Sequence, residues 1–459
     1  MKPNGFEYLL QRVDVQSPVG RERLFQQEAF VPGQEEALYE ELGRVESVKR
    51  YLQEGDAGAV VSKLRLKFSQ VWDIRNTFSM VEKGVVDDVQ LFEIKRFAFL
   101  VREISALCAG FPFLCGKFPD LSGVIALLDP RNENLPTFHI YNEYSPLLAE
   151  KRKALAALAE GADTSVLQSE CEELEAEVRE KLCVDLRPFT GDLRAAMEKV
   201  AYTDVLTAKA VLAAAYGLEM PLQMEENCGA TMVFEGLFNP MVKEILEKEG
   251  HRYQAVDVRL NEEVCLLTGA NMSGKTVLLK TLALAQTLFR FGFLVPARTA
   301  KMRLFDGVEL VVSDGQDEQR GLSSFGAEIV RLNGILERLK AGQNLLLLID
   351  EPARTTNPAE GKALVCALLE RLKGFSCTAL LSTHYGLNAD VRRLRVHGFR
   401  QEWAPEGEFG LSRIQSCMDY AVEEEKPGEQ PPAEALRIAA LLGFDGDVLR
   451  RAEEIFCNR

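Results

Sequence analysis

At 459 residues the chain is too long for one ordinary hydrophobic core, so two or three domains are expected. Apolar residues at 47% and charged residues at 27% exclude a disordered chain, and no apolar run approaches the ~20 residues needed to span a bilayer, so no membrane partner is expected. A formal charge of −15 repels nucleic acid in bulk, which lowers the expectation of DNA binding without removing a local basic stripe from consideration.

The first residues, Met1 to Gly5, lead into a mixed polar segment without a signal-peptide hydrophobic stretch, which points to a cytoplasmic location. Apolar residues at helical spacing predict helices over 34–52 and 88–107. Over 147–182 the period is cleaner: Leu167, Cys171, Leu174, Val178 and Leu182 recur in steps of four and three amid Glu, Lys and Arg. That pattern predicts one long amphipathic helix, either half of an antiparallel arm or a bundle helix. A further helix is expected over 192–216. After about residue 222 short β-rich runs alternate with helices, at 264–267, 308–312, 345–349 and 379–382, and predict a mostly parallel sheet. Residues 399–403 and 409–414 flank Pro405-Glu406-Gly407-Glu408 and read as an antiparallel hairpin closing the sheet edge. A charged linker follows at 423–432, then two short helices broken at Gly443, the second with Val448, Leu449, Ala452, Ile455 and Phe456 on one face. The expected organisation is a helical domain over 1–225, an α/β domain over 226–422, and a linker with helix pair over 423–459. Ten cysteines without a Cys-x-x-Cys pair read as reduced core thiols, and four histidines leave no basis for a histidine-rich metal site.

The chemistry concentrates in four segments. Val264 to Leu267 is a buried-strand pattern that runs into Gly269-Ala270-Asn271-Met272-Ser273-Gly274-Lys275-Thr276, followed by the helical start Val277-Leu278-Leu279. Glycines let backbone N–H groups turn onto a phosphate, the helix N-terminus adds partial positive charge, Lys275 reaches the β- and γ-phosphates, and the Thr276 hydroxyl suits Mg²⁺. Leu345 to Ile349 is wholly apolar and delivers Asp350-Glu351 at its end. Two carboxylates there suit a cation's water shell, through Asp350, and the activation of an attacking water, through Glu351. His384, in Ser382-Thr383-His384-Tyr385, sits at a strand end where an imidazole can sense a γ-phosphate or water. Ser323 and Ser324 precede a helix with Ile329, Leu332 and Ile335 on one side, and offer an anion site at its N-terminus.

Together, in this order, the segments resemble the ATPase domain of the MutS family, a relative of the ABC ATPases. The resemblance rests on Thr268 to Lys275 with its Asn271-Met272 pair, on Asp350-Glu351 with Thr356 and Gly361, on Thr383-His384-Tyr385, and on Ser323-Ser324-Phe325. The final helices resemble the family's dimerisation helices, and Tyr253 falls where the family often has an adenine-stacking aromatic. Ser17 to Arg21 and Tyr202 to Leu206 resemble worn segments of the family's core domain. The fold implied is an ABC-like P-loop domain with a mostly parallel sheet behind a mainly helical lever domain. The cofactors implied are ATP and Mg²⁺. The assembly implied is a homodimer, or a heterodimer with a related subunit, in which Ser323 and Ser324 of one copy meet the γ-phosphate held by Lys275 of the other.

The sequence departs from that pattern in informative places. Thr355 stands where a glycine usually precedes Thr356, and Ser273 replaces a loop glycine. On that resemblance the chain is expected to start directly in the lever region, without room for a mismatch-reading domain, and the short stretch between Leu182 and Asp192 is expected to hold no DNA clamp. A short, clampless subset of the family reactivates cobalamin-dependent aminomutases, and residues 350–358 resemble that subset. A protein client, with an aminomutase as the example, is therefore the expected partner, and the alternative is a DNA-structure or mismatch-repair-related ATPase.

Overall fold

The computed structural model describes residues 5–53, 57–110, 116–135, 137–158, 163–225, 229–270, 272–312, 324–383, 385–387, 389–400, 403, 417–425 and 434–457. The chain divides into two compact units, one of residues 14–27 and 47–211, the other of 1–13, 28–46 and 212–459.

The first unit is helical. The elements up to its end are α1 (Phe6–Leu10), α2 (Pro18–Gln26), α3 (Glu35–Gln53), α4 (Ala57–Ser69), α5 (Arg75–Lys83), α6 (Asp88–Cys108), α7 (Ser122–Leu128), α8 (Pro146–Ala156), α9 (Ser165–Leu186) and α10 (Thr190–Tyr216). Their ends follow local chemistry. Asp87 and Gln90 form a reciprocal capping box on α6, and Ser17 caps α2 ahead of Pro18. Asp204 of α10 accepts from the Ser17 backbone N–H at 2.7 Å and from its hydroxyl at 2.6 Å, joining the two segments that the sequence had singled out. Gly20 has no room for a side chain, since a Cβ would lie 2.8 Å from Asp204 Oδ2. Lys95 and Asp129 form an ion pair at 3.2 Å with both side chains at most 1% exposed, and Tyr141 bridges them, as a buried pair requires. The single long helix expected over 147–182 is two helices. α8 and α9 run side by side, tied by Lys151–Glu170 at 2.6 Å and Arg152–Glu175 at 2.7 Å. The apolar period from Leu167 to Leu182 lies wholly within α9, so it carried no information about the break before that helix.

Among the described residues the second unit holds two sheets. Strands β1 (Leu222–Gln223), β2 (Ala230–Leu237), β3 (Val256–Asn261) and β5 (Thr299–Met302) form a mixed sheet in the order β1-β5-β2-β3. Strands β4 (Val264–Thr268), β6 (Gly307–Val311), β7 (Leu345–Ile349), β8 (Thr378–Ser382), β9 (Arg392–Phe399) and β10 (Met418–Glu424) form the main sheet in the order β10-β9-β4-β8-β7-β6. All its pairs are parallel except β9–β10. The helices are α11 (Pro240–Lys248), α12 (Lys275–Arg290), α13 (Ser324–Lys340), α14 (Pro358–Leu372), α15 (Glu434–Leu441) and α16 (Gly446–Cys457). Every residue of β7 and β8 is buried, which is why these strands read as unbroken apolar runs. Val264, Leu266, Leu345, Leu347, Ile349, Ala379 and Leu381 share one core with Ile335 and Leu339 of α13 and Val365 and Leu369 of α14.

The antiparallel edge differs from expectation. Its strands are β9 and β10, starting at Arg392 and Met418, and β10 continues to Glu424 into the expected linker. The β9 side was obscured because its arginines interrupt the apolar alternation. Residues 409–414 and residues 426–432 of that linker lie outside the described residues. Among the described residues no helix is long and apolar enough to cross a membrane.

Candidate functional site

Strands β4, β8 and β7 lie side by side and parallel, so their C-terminal ends deliver Thr268, Ser382 and Asp350 to one edge. In open α/β sheets that edge is where ligands bind.

The loop after β4 turns on backbone conformations that glycine permits. Gly269 has φ 143° and Gly274 φ 90°. A Cβ at Gly269 would lie 2.9 Å from Ser273 Oγ, and one at Gly274 would lie 2.9 Å from the Tyr420 ring, so neither position admits a side chain. Met272 adopts φ 67° and is half exposed. Gly274 is the N-cap of α12, whose first residue is Lys275. The free N–H groups of a helix start face an anion favourably. Lys275 is buried, and its Nζ donates to the carbonyls of Gly269 and Ala270, both at 2.8 Å. Burial pulls the ammonium below its ordinary value against the opposing pull of Glu351 and Asp350.

Asp350 joins the loop to the sheet. Thr276 Oγ1 donates to its Oδ2 at 2.7 Å and Ser382 Oγ donates to its Oδ1 at 2.6 Å. Ser382 also accepts the Glu351 backbone N–H, at 3.0 Å on Oγ and 3.2 Å on the carbonyl. Glu351 and Ala353 hold left-handed conformations, φ 48° and 58°, which cost a non-glycine residue ~1–2 kcal/mol each. The turn is held by Glu328 of α13, which accepts the Ala353 N–H at 2.9 Å, and by Tyr385, whose hydroxyl donates to the Ala353 carbonyl at 2.9 Å. Burial raises the Glu328 carboxyl against that hydrogen bond. The Glu351 carboxylate faces Arg354 at 3.1 Å.

Beside the loop opens a cavity of about 910 Å³, lined by Tyr253, Gln254, Met272, Gly274, Val277 and Tyr420 among others. The Tyr253 hydroxyl accepts the Asn239 backbone N–H at 2.9 Å.

The structure therefore gathers Gly269, Ala270, Met272, Ser273, Gly274, Lys275, Thr276, Val277, Asp350 and Glu351 at one edge of the main sheet, and Tyr253, on the segment before β3 of the mixed sheet, lines the cavity beside them. Asn271, Ser323 and His384 lie outside the described residues, and Ser324 opens α13 without a described side chain. The sequence reading missed Ser382, Gln254, Glu328 and Tyr420 as site residues. Ser382 could have been found, since it lies next to the Thr383-His384 motif; the others act through contacts between distant segments.

A glycine loop between a buried parallel strand and a helix, with a carboxylate on its threonine from the strand two places away, across β8, defines a P-loop fold of the ABC-like kind. The comparisons narrow the class. Residues 265–457 match the family described as MutS domain V. The chain is 29% identical over 280 residues to the endonuclease MutS2 of Fusobacterium nucleatum, covering 59% of this chain and 32% of that protein. It is 30% identical over 298 residues to the DNA mismatch repair protein MutS of a Bradyrhizobium species, covering 62% and 31%. A MutS2 endonuclease of Lacticaseibacillus paracasei is 29% identical over 287 residues, covering 61% and 33%. These findings support the MutS family, through its domain V. The matches span about a third of the length of these relatives.

Proposed function

We propose that this chain binds and hydrolyses Mg²⁺–ATP and uses the cycle to drive its helical unit against a protein partner. The observation that carries the reading is the Thr276–Asp350–Ser382 hydrogen-bond chain beside Lys275 at the loop. Thr276 Oγ1 and Asp350 Oδ2, joined by a 2.7 Å hydrogen bond, are hard oxygen donors of the kind Mg²⁺ takes and would hold the ion. They fit the ion, with Asp350 acting directly or through its water. When bound, the ion supplies charge neutralisation at the β- and γ-phosphate oxygens. Lys275 exchanges its two loop carbonyls for phosphate oxygens. Tyr253 presents its ring to the base in the adjoining cavity. Glu351 orients the attacking water and takes its proton, and His384 senses the γ-phosphate.

The site is completed in this reading by a second copy or a related subunit, whose Ser323 and Ser324 reach the γ-phosphate. Phe444, Val448, Ile455 and Phe456 of the last helical pair and its turn are half exposed, an apolar surface that favours pairing. The client proposed is a protein, and the aminomutase class rests on the resemblance of residues 350–358. A second reading, action on DNA, is favoured by the names of the relatives, a mismatch repair protein and endonucleases.

Phosphate release and nucleotide binding test the catalytic claim. Wild type should turn over Mg²⁺–ATP, Lys275→Ala should lose nucleotide binding, and Glu351→Gln should bind ATP, stall, and accumulate as a dimer. Glu351→Gln turning over at the wild-type rate would remove that residue from the catalytic role.

A further inference from the structure

Strand β10 carries a bulge beside the cavity. Asp419 pairs with Gly398 and Val422 with Val396, so Tyr420 and Ala421 together face His397 alone. A bulge turns side chains out of the regular alternation and leaves backbone N–H groups without ladder partners. Here both groups are satisfied from side chains. The Tyr420 N–H donates to Gln254 Oε1 at 3.1 Å, and the Ala421 N–H donates to Asp419 Oδ1 at 3.0 Å. Gln254 Nε2 donates to that same Asp419 oxygen at 2.9 Å. The other Asp419 oxygen takes Arg400 at 2.8 Å and His397 Nδ1 at 2.8 Å. Burial raises the Asp419 carboxyl, but these donors outweigh it and hold the group well below its ordinary range.

The consequence for the cavity is geometric. Tyr420 rests its ring on Gly274, inside the phosphate loop, and lines the cavity. Tyr253 lines the same cavity and is the residue before Gln254. One amide side chain therefore ties the segment bearing one aromatic wall to the strand bearing the other, across 166 positions of sequence. An amide suits this place because it supplies one acceptor and one donor to two different partners. A glutamate would offer acceptors only, and would set a second carboxylate against Asp419.

We propose that Gln254 is a positioning residue that fixes the spacing of Tyr253 and Tyr420, and so gives the site its preference for a flat heteroaromatic base attached to the triphosphate. The proposal rests on the nucleotide reading above and deepens it. Gln254 does not touch the phosphates in this account, so its loss separates recognition of the base from recognition of the phosphate chain.

Calorimetric titration of the full chain with Mg²⁺–ATP and, separately, with Mg²⁺–tripolyphosphate distinguishes the two. Wild type should bind ATP more tightly than tripolyphosphate. Gln254→Leu should lose about tenfold in ATP affinity, the loss expected from broken buried hydrogen bonds, while tripolyphosphate affinity stays within about twofold. Gln254→Glu should lose more ATP affinity than Gln254→Leu. Asp419→Asn, which keeps the shape and one acceptor oxygen, is the second variant and should show the same selective loss in weaker form. Unchanged ATP affinity in Gln254→Leu, or equal losses for ATP and tripolyphosphate, would overturn the positioning role. A wild-type chain that holds tripolyphosphate but gains nothing from the base would do so as well. A wild-type chain that holds neither would overturn the nucleotide reading itself, a result the variants cannot imitate.

Discussion

Ser382 lies at the end of β8, one strand away from the loop and one from Asp350, and it serves both. Its hydroxyl donates to Asp350 Oδ1 and accepts the Glu351 N–H, so it aligns the carboxylate on Thr276 and steadies the next residue in its left-handed conformation. Replacing it with alanine leaves a buried carboxylate oxygen unpaired, which costs about 1–3 kcal/mol. Part of that cost should appear in the reaction. Ser382→Ala is expected to lower ATP turnover about tenfold and raise the Mg²⁺ concentration needed for half-maximal rate. Phosphate release measured across a Mg²⁺ series checks this. A variant with lower thermal stability and unchanged Mg²⁺ dependence would reduce Ser382 to a packing role.

At the scale of elements, the sequence revealed what is local and concealed what is paired at a distance. The loop between β4 and α12 was legible because glycines, lysine and threonine do their work within eight residues. β7 and β8 were legible because burial on both faces removes every polar residue. The bulge in β10 was not, since nothing in Asp419-Tyr420-Ala421 announces that Gln254 will arrive to satisfy it. The mixed sheet was not legible: none of its four strands was read from the sequence, and β2 and β3 pair through register shifts that break a regular alternation. The approach of α14 to the turn after β7 is another distant pairing, and Gly361 makes it possible. A Cβ there would lie 2.4 Å from Tyr385 Oη and 3.0 Å from the Ala353 carbonyl oxygen. Gly361→Ala should force the hydroxyl off that carbonyl and destabilise the fold by about 1–3 kcal/mol, read as a lower urea midpoint. In a Tyr385→Phe background the same change should cost less, because the atom it strikes is gone. Equal costs in the two backgrounds would place the strain elsewhere.

Across the whole chain, charge offers a measurement that discriminates the proposed protein partner from DNA. Non-specific DNA affinity comes from lysine and arginine replacing counterions on phosphates, and it falls steeply with salt. This chain has 54 basic against 69 acidic residues, so its bulk field opposes that contact. Inside the helical unit, α9 ends at Leu186 and α10 begins at Thr190, so no strand-rich insert intervenes where a clamp on DNA was sought in the sequence. The names of the relatives point the other way, and their matched stretches leave about two thirds of their own lengths uncompared. If the partner is a protein, duplex and branched DNA should leave ATP turnover within about twofold at about 0.1 M salt, where a Debye length near 10 Å still lets a basic stripe act. Stimulation beyond about fivefold that collapses as salt rises would show phosphate contacts coupled to hydrolysis, and would move the chain to the DNA reading. The Glu351→Gln chain sharpens the test. Held with ATP, it should retain any DNA-gripping state long enough for a filter-binding titration, so absence of affinity there counts against DNA more strongly than absence in the cycling wild type.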